Sequence, residues 1–161
     1  MNVLRLIEFM DFMMNVSQIT EERFDIARKL WKIIGIHDTA AYKILDGNAG
    51  TQWYQEDKMK MPVDLVIDLG KPENISGFRY LPDQNWWAKG IISNYQLYIS
   101  QDNIEWQLVD KGEFSNIKNN PVWQNKSFQT AKARYIKLRA LKNTQDDDTV
   151  SYAEIDIITK N

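Results

Sequence analysis

Between Lys43 and Trp53 the sequence KILDGNAGTQW sets Asp46, Gly47, Asn48, Gly50 and Thr51 between two apolar anchors. Glycine and asparagine tolerate positive φ, so this run can coil tightly and aim several carbonyl oxygens at one point. With the Asp46 carboxylate and the Thr51 hydroxyl beside them, those oxygens form the hard donor set that calcium selects. An ordinary polar turn accounts for the same residues without a metal. A second chemical signature is LPDQNWWAKG, residues 81–90, where Trp86 and Trp87 adjoin in a polar loop between two expected strands. Two neighbouring indoles cannot easily both point inward. An exposed aromatic face suits the apolar C–H patch of a sugar ring, while Asp83, Asn85 and Lys89 are placed to bond its hydroxyls. The alternative is that both tryptophans cover one end of the fold. Tyr54 and Gln55, which follow the TQW motif, and Asp146, Asp147 and Asp148 before the last strand can share that rim. The three aspartates read as a solvated loop rather than a second metal site.

Catalytic signatures are weak. The one histidine, His37, is followed by Asp38 but has no nucleophile-elbow or zinc motif around it. The absence of cysteine excludes disulfides, thiolate zinc sites and a cysteine nucleophile. A net charge of -2 leaves no broad basic field for nucleic acid or an acidic membrane. The loop QEDKMKMP offers Met59 and Met61 with Lys58 and Lys60 to a lipid surface, but Glu56 and Asp57 offset the lysines.

The elements that must position these loops are mostly strands. The 161 residues suit one domain. Two-residue alternation puts Leu65, Ile67 and Leu69 on one face, Tyr95, Leu97 and Ile99 on another, and Ile136, Leu138 and Ala140 on a third. Further strands are expected at 30–36, 74–81, 103–109, 126–130 and 154–159, separated by the turns LGKPEN, SQDN, KNNP and NTQDDD. Many short strands with almost no helix predict an antiparallel sandwich or barrel. Trp31, Trp53 and Trp106 are expected in its core. Residues 1–24 read as a leader or linker. Within it, Asn2, Arg5, Glu8 and Asp11 form one stripe of an amphipathic helix, with Leu4, Ile7, Met10 and Met14 opposite. Charges every third residue argue against an export signal.

The ordered succession ILDGNAGTQW, VIDLGKPENISGFRYLP, YQLYISQDNIEW, ARYIKLRAL and SYAEIDI resembles the discoidin family, or coagulation factor V/VIII type C domains. Similarity is nearest to its bacterial branch, the family 32 carbohydrate-binding modules attached to secreted glycosidases such as hexosaminidases and fucosidases. The resemblance implies an eight-stranded, jelly-roll-like β-sandwich over residues 25–161. It also implies a structural calcium held by main-chain oxygens of Lys43, Asn48 and Ala153, the carboxylates of Asp46 and Glu154, and Thr51. Further implications are a glycan partner bound by Asp83, Asn85, Trp86, Trp87, Lys89 and Tyr54, and a catalytic glycosidase domain in the same parent chain. The module itself is expected to be noncatalytic, monomeric and extracellular, cell-surface or periplasmic. A vestigial docking module and a lipid-adhesion module are the rival readings. Relatives that bind galactose carry arginine where this chain has Asp83, which argues against galactose and leaves an amino sugar or fucose.

Overall fold

The computed structural model describes residues 3–55 and 59–160, with the side chains of 16–27 set aside. The chain separates into two compact units, residues 1–31 and 32–161. The first is a single helix, α1, Val3–Arg28. Leu4, Ile7, Met10 and Met14, the apolar set expected on it, are each more than half exposed, as are Phe9 and Phe12. No described helix is long and apolar enough to cross a membrane.

The second unit holds eight strands: β1 Lys32–Ile34, β2 Trp53–Gln55, β3 Val63–Leu81, β4 Ile92–Ser100, β5 Gln107–Glu113, β6 Gln124–Asn143, β7 Val150–Tyr152 and β8 Glu154–Thr159. All pair antiparallel. One sheet runs β1-β3-β6-β4-β5, with β8 also on β3, and β2 pairs with β7 alone. The result is the antiparallel β-sandwich that the alternation predicted. The two segments expected at 64–70 and 74–81 are one continuous strand, as are those at 126–130 and 134–141. Register shifts between Asp68 and Glu73 and between Ile75 and Gly77 let β3 bend without ending. Gly77 is required at the second shift, since a Cβ there would collide with the Lys126 carbonyl. The strand expected at 103–109 starts later, at Gln107. Asn103 takes positive φ (62°), and the Asp102 carboxylate accepts from the N–H groups of Ile104 and Glu105, which makes 101–106 a turn.

The predicted inward sets all reach the core. Leu97, Leu138 and Leu65 lie in one cross-strand row and Ile99, Ile136 and Ile67 in the next, each buried. Each such side chain contributes roughly 1.5–3 kcal/mol on burial. On the outer face Arg139 grips Asp64 with two bonds (2.7 and 2.9 Å), and Arg134 grips Asp68 likewise (2.8 and 2.9 Å). The Arg134 guanidinium holds the Asp68 carboxyl below the usual carboxylate range. Such half-exposed pairs are worth about 0–1 kcal/mol, so they refine a register that the apolar rows set.

A file of aromatic rings joins the layers. Trp53 meets Tyr152 (6.3 Å between centroids), Tyr152 meets Tyr80 (5.6 Å), Tyr80 meets Phe114 (5.1 Å), and Phe114 stacks on Tyr95 (4.6 Å). Tyr80 is fully buried, and burial pushes its phenol pKa up. Its hydroxyl donates to Ser151 O (2.9 Å) and accepts from Ile92 N (3.3 Å), linking β3 to the start of β4 and to β7. Removing it by Tyr80→Phe strands a buried N–H and a buried carbonyl, so unfolding in urea should lose about 1–3 kcal/mol with an unchanged slope. A midpoint equal to that of the parent protein would contradict this role.

Candidate functional site

Three segments meet at the end of the sandwich where β4 begins: 59–62, 82–91 and 144–149. Hydrogen bonds to its backbone tie the second to the third and to β7. Thr144 N donates to Ile91 O (2.9 Å), Ser151 N to Gly90 O (2.9 Å), Ser151 Oγ to Lys89 O (2.5 Å), and Gly90 N to Gln145 Oε1 (3.1 Å). Asp148 accepts from Met61 N (2.9 Å), which anchors the first loop. Asp147 accepts from Thr149 N and Asn143 Nδ2, and those two bonds hold its carboxyl below the usual range. Two of the three late aspartates therefore build the loop. Among the described residues of the first segment, Met59 is exposed and Met61 half-exposed, with the Met61 N–H held by Asp148. Glu56, Asp57 and Lys58 lie outside the described residues.

Trp86 is 91% exposed and Trp87 58%, and the two indoles meet edge to face at 5.2 Å and 88°. Perpendicular rings present two differently oriented faces to solvent. Lys89 is exposed and Asn85 half-exposed beside them, while Tyr54 is half-buried in β2 opposite Ser151. The alternative in which both tryptophans cap the core is therefore excluded. Asp83 departs from its expected place among the contact residues. It is 1% exposed, and its Oδ1 accepts from Asn85 N (3.0 Å) and Asn85 Nδ2 (2.7 Å). Its Oδ2 is buried with no hydrogen-bond partner among the described residues. Asp83 folds the loop from beneath, and the side chains that reach the rim are those of Asn85, Trp86, Trp87 and Lys89.

The second cluster is the turn after the 3-10 helix Thr39–Leu45. Asp38 caps that helix through Ala40 N (2.8 Å), and its other oxygen accepts from Trp53 Nε1 (2.7 Å). Those bonds, Ala40 first, lower its pKa and give the carboxylate beside exposed His37 a structural task. Lys43 sits in the last turn of the helix. Asn48 N then donates to both Asp46 Oδ1 (2.8 Å) and Glu154 Oε1 (3.0 Å). Thr51 Oγ1 donates to Asp46 Oδ2 (2.7 Å) and contacts Asn48 O (2.9 Å), which also accepts from Thr51 N (3.1 Å). Glu154 is 1% exposed, and Ala153 before it donates its N–H to Leu81 O (3.0 Å). The structure thus brings Asp46, Asn48, Thr51 and Glu154 together. Among the described residues no three carboxylate or imidazole groups cluster, so any cation here would rely on hydroxyl and carbonyl oxygens as well.

Of the tryptophans expected in the core, Trp31 and Trp53 are buried. Trp106 is only half-buried, with the Lys137 ammonium 4.2 Å from its ring centre. The sequence pattern could not separate it from Trp53, because both follow a polar residue at the edge of a strand.

Residues 34–155 match the family model of the F5/8 type C domain. Among solved structures, the chain is similar to the module CBM32-3 from a family 31 glycoside hydrolase of Clostridium perfringens (25% identity, TM-score 0.72, 83% of this chain and 94% of that one). It is also similar to CpGH89CBM32-5 of the same organism, solved with GalNAc-β-1,3-galactose (23% identity, TM-score 0.71, 82% and 97%). A galactose oxidase of Gibberella zeae is 28% identical over 120 residues; this chain spans 17% of that protein's length.

Gly90 sets a test of the rim's construction. It takes φ +70°, and a Cβ would lie 2.8 Å from the Val150 carbonyl carbon. Gly90→Ala should destabilise the domain by roughly 1–3 kcal/mol, read as a fall of several degrees in melting temperature. An unchanged melting temperature would show that loop 82–91 is not seated against β7.

Proposed function

The chain belongs to the F5/8 type C, or discoidin, domain family, and on that footing we propose that it binds glycans and targets a glycosidase carried on the same parent chain. It is a noncatalytic module: the galactose oxidase match covers only this domain of that enzyme. The observation that carries the glycan reading is the exposed Trp86–Trp87 pair on a braced loop. Exposing two indoles to water is unfavourable unless a partner covers them, and the flat faces of a pyranose are such a partner. Asn85 and Lys89 flank the rings and supply hydrogen bonds to ring hydroxyls, while Tyr54 lies beside the rim on β2. Each contact is modest. Tethering makes weak binding useful, because it raises the local concentration of substrate around the attached enzyme. The module works as a monomer outside the cell, where polymeric glycans are found.

The family membership also supports a structural calcium at the Asp46–Glu154 cluster. The donor set fits such an ion: two carboxylates converge on one N–H, and the Thr51 hydroxyl and the Asn48 carbonyl lie beside them. Lys43 and Ala153 would add main-chain oxygens. Calcium would neutralise the convergent charge and fasten the first turn to β8.

A glycan array in calcium buffer tests the first reading. The parent protein should bind at least one class of glycan, and Trp86→Ala/Trp87→Ala, folded by circular dichroism, should lose about ten-fold or more in affinity. A folded, calcium-loaded protein with no ligand on a broad array would instead indicate a docking module. For the metal, calcium at a hundred times its dissociation constant should add about 2.7 kcal/mol of stability, on the order of 10 °C in melting temperature. A chelator should reverse the shift and Asp46→Asn should abolish it; identical melting with calcium and with chelator would refute the site.

A further inference from the structure

The opposite end of the sandwich carries a cavity of about 330 Å³. Its walls include Ser100, Gln101, Asp102, Glu105, Trp106 and Lys132. Loop 82–91 enters β4 at Ile92, whereas turn 101–106 leaves it after Ser100. Nine strand residues at about 3.3 Å each put this cavity on the order of 30 Å from the Trp86–Trp87 rim.

The cavity is built on firmly held parts. Ser100 Oγ accepts from Asn103 N (3.0 Å) and donates to Asp102 Oδ1 (3.1 Å). The same Asp102 oxygen accepts from Ile104 N and Glu105 N, both at 2.9 Å. These bonds, led by the one from Glu105 N, hold the Asp102 carboxyl below the usual range, so it is ionised at neutral pH. Lys137 does not line the cavity. It lies over the Trp106 ring at 4.2 Å and over the Tyr98 ring at 5.0 Å, bracing the indole from outside. Trp106 therefore reaches the cavity as a half-buried wall, already positioned.

The mixture of groups selects the ligand. Asp102 and Glu105 outweigh Lys132 and disfavour an anion, while charges of both signs in one lining suit a neutral molecule that can donate and accept. Carboxylates accept and an ammonium donates, while the amide of Gln101 does both. A ligand using all of them needs hydroxyls, which donate and accept, and an apolar face for the indole. The volume lies at the small end of ligand pockets. We propose that this cavity is a second carbohydrate site, taking one neutral pyranose unit of a glycan chain. It rests on the reading of the protein as a glycan binder and extends it. Two sites at opposite ends of one domain would let it bridge two chains or bind one long chain twice, with the gain in avidity that multivalency gives.

Backbone amide shifts of the full chain, followed by NMR during titration with galactose, glucose, N-acetylglucosamine and N-acetylgalactosamine, test this. At least one sugar should move the amides of 100–106 saturably. That response should weaken about ten-fold, or by about 1.4 kcal/mol, in Trp106→Ala. It should weaken also in Gln101→Ala/Glu105→Ala, whose side chains are exposed and not needed for folding, and persist in Trp86→Ala/Trp87→Ala. Saturable shifts confined to residues 84–90 would overturn the second site and leave the first standing. Shifts confined to 100–106 would support this cavity and overturn the Trp86–Trp87 reading. No saturable shift with any of the four sugars would overturn this proposal.

Discussion

The Asn48 N–H donates to two carboxylates, Asp46 beside it and Glu154, 106 residues further along the chain. That shared donor fixes the first turn to the start of the last strand, and the loop end of the domain depends on it. Directly after the turn comes β2, whose Trp53 lies opposite Tyr152 of β7. Tyr152 is two residues from Glu154, so the carboxylate contact and the short two-stranded sheet form one seam. From the seam, Ser151 reaches the 82–91 loop through Gly90 and Lys89 and reaches the core through the Tyr80 hydroxyl. Loosening the seam would therefore be felt at the rim as well as in stability.

The distribution of aromatic residues follows from this arrangement. Phe78, Tyr80, Tyr95, Phe114 and Tyr152 fill the interior in tilted, stacked or edge-to-face contacts, which is how large rings combine burial with favourable quadrupole geometry. Trp86, Trp87 and Trp106 stand apart from that file. Two are open to solvent on a loop whose backbone is bonded to the 144–149 loop and to β7, and one is half-buried under a lysine. Solvent-exposed rings on fixed backbone lose little entropy when a ligand arrives, which favours binding.

Much of this was legible in the sequence, for identifiable reasons. The alternations at 65–69, 95–99 and 136–140 located the core rows, because a pleated strand buried on one face has no other period. The acid and turn-formers of KILDGNAGTQW located the turn, but their spacing could not pair Asp46 with Glu154; the resemblance supplied that partner and the fold places it there. The adjacent tryptophans located the rim. The role of Asp83 was not legible, since a carboxylate in a polar loop looks the same whether it faces solvent or folds under to bond its neighbour's amide. Strand ends were misjudged at 103–106 for a similar reason: Asn103 at positive φ and the capping bonds of Asp102 override the β-propensity of Ile104 and Trp106. The continuity of β3 and β6 was hidden because bulges read as turns.

The exposed indoles of loop 82–91 are the proposed glycan-contacting surface, and the six indole N–H signals of this protein report on it residue by residue. They should be assigned and followed while a bound glycan is titrated into the calcium-loaded chain. The Trp86 and Trp87 signals should move together with one dissociation constant, while that of Trp53, held by Asp38, stays in place. Trp86 and Trp87 signals that remain at their free positions while the glycan binds would contradict that proposal.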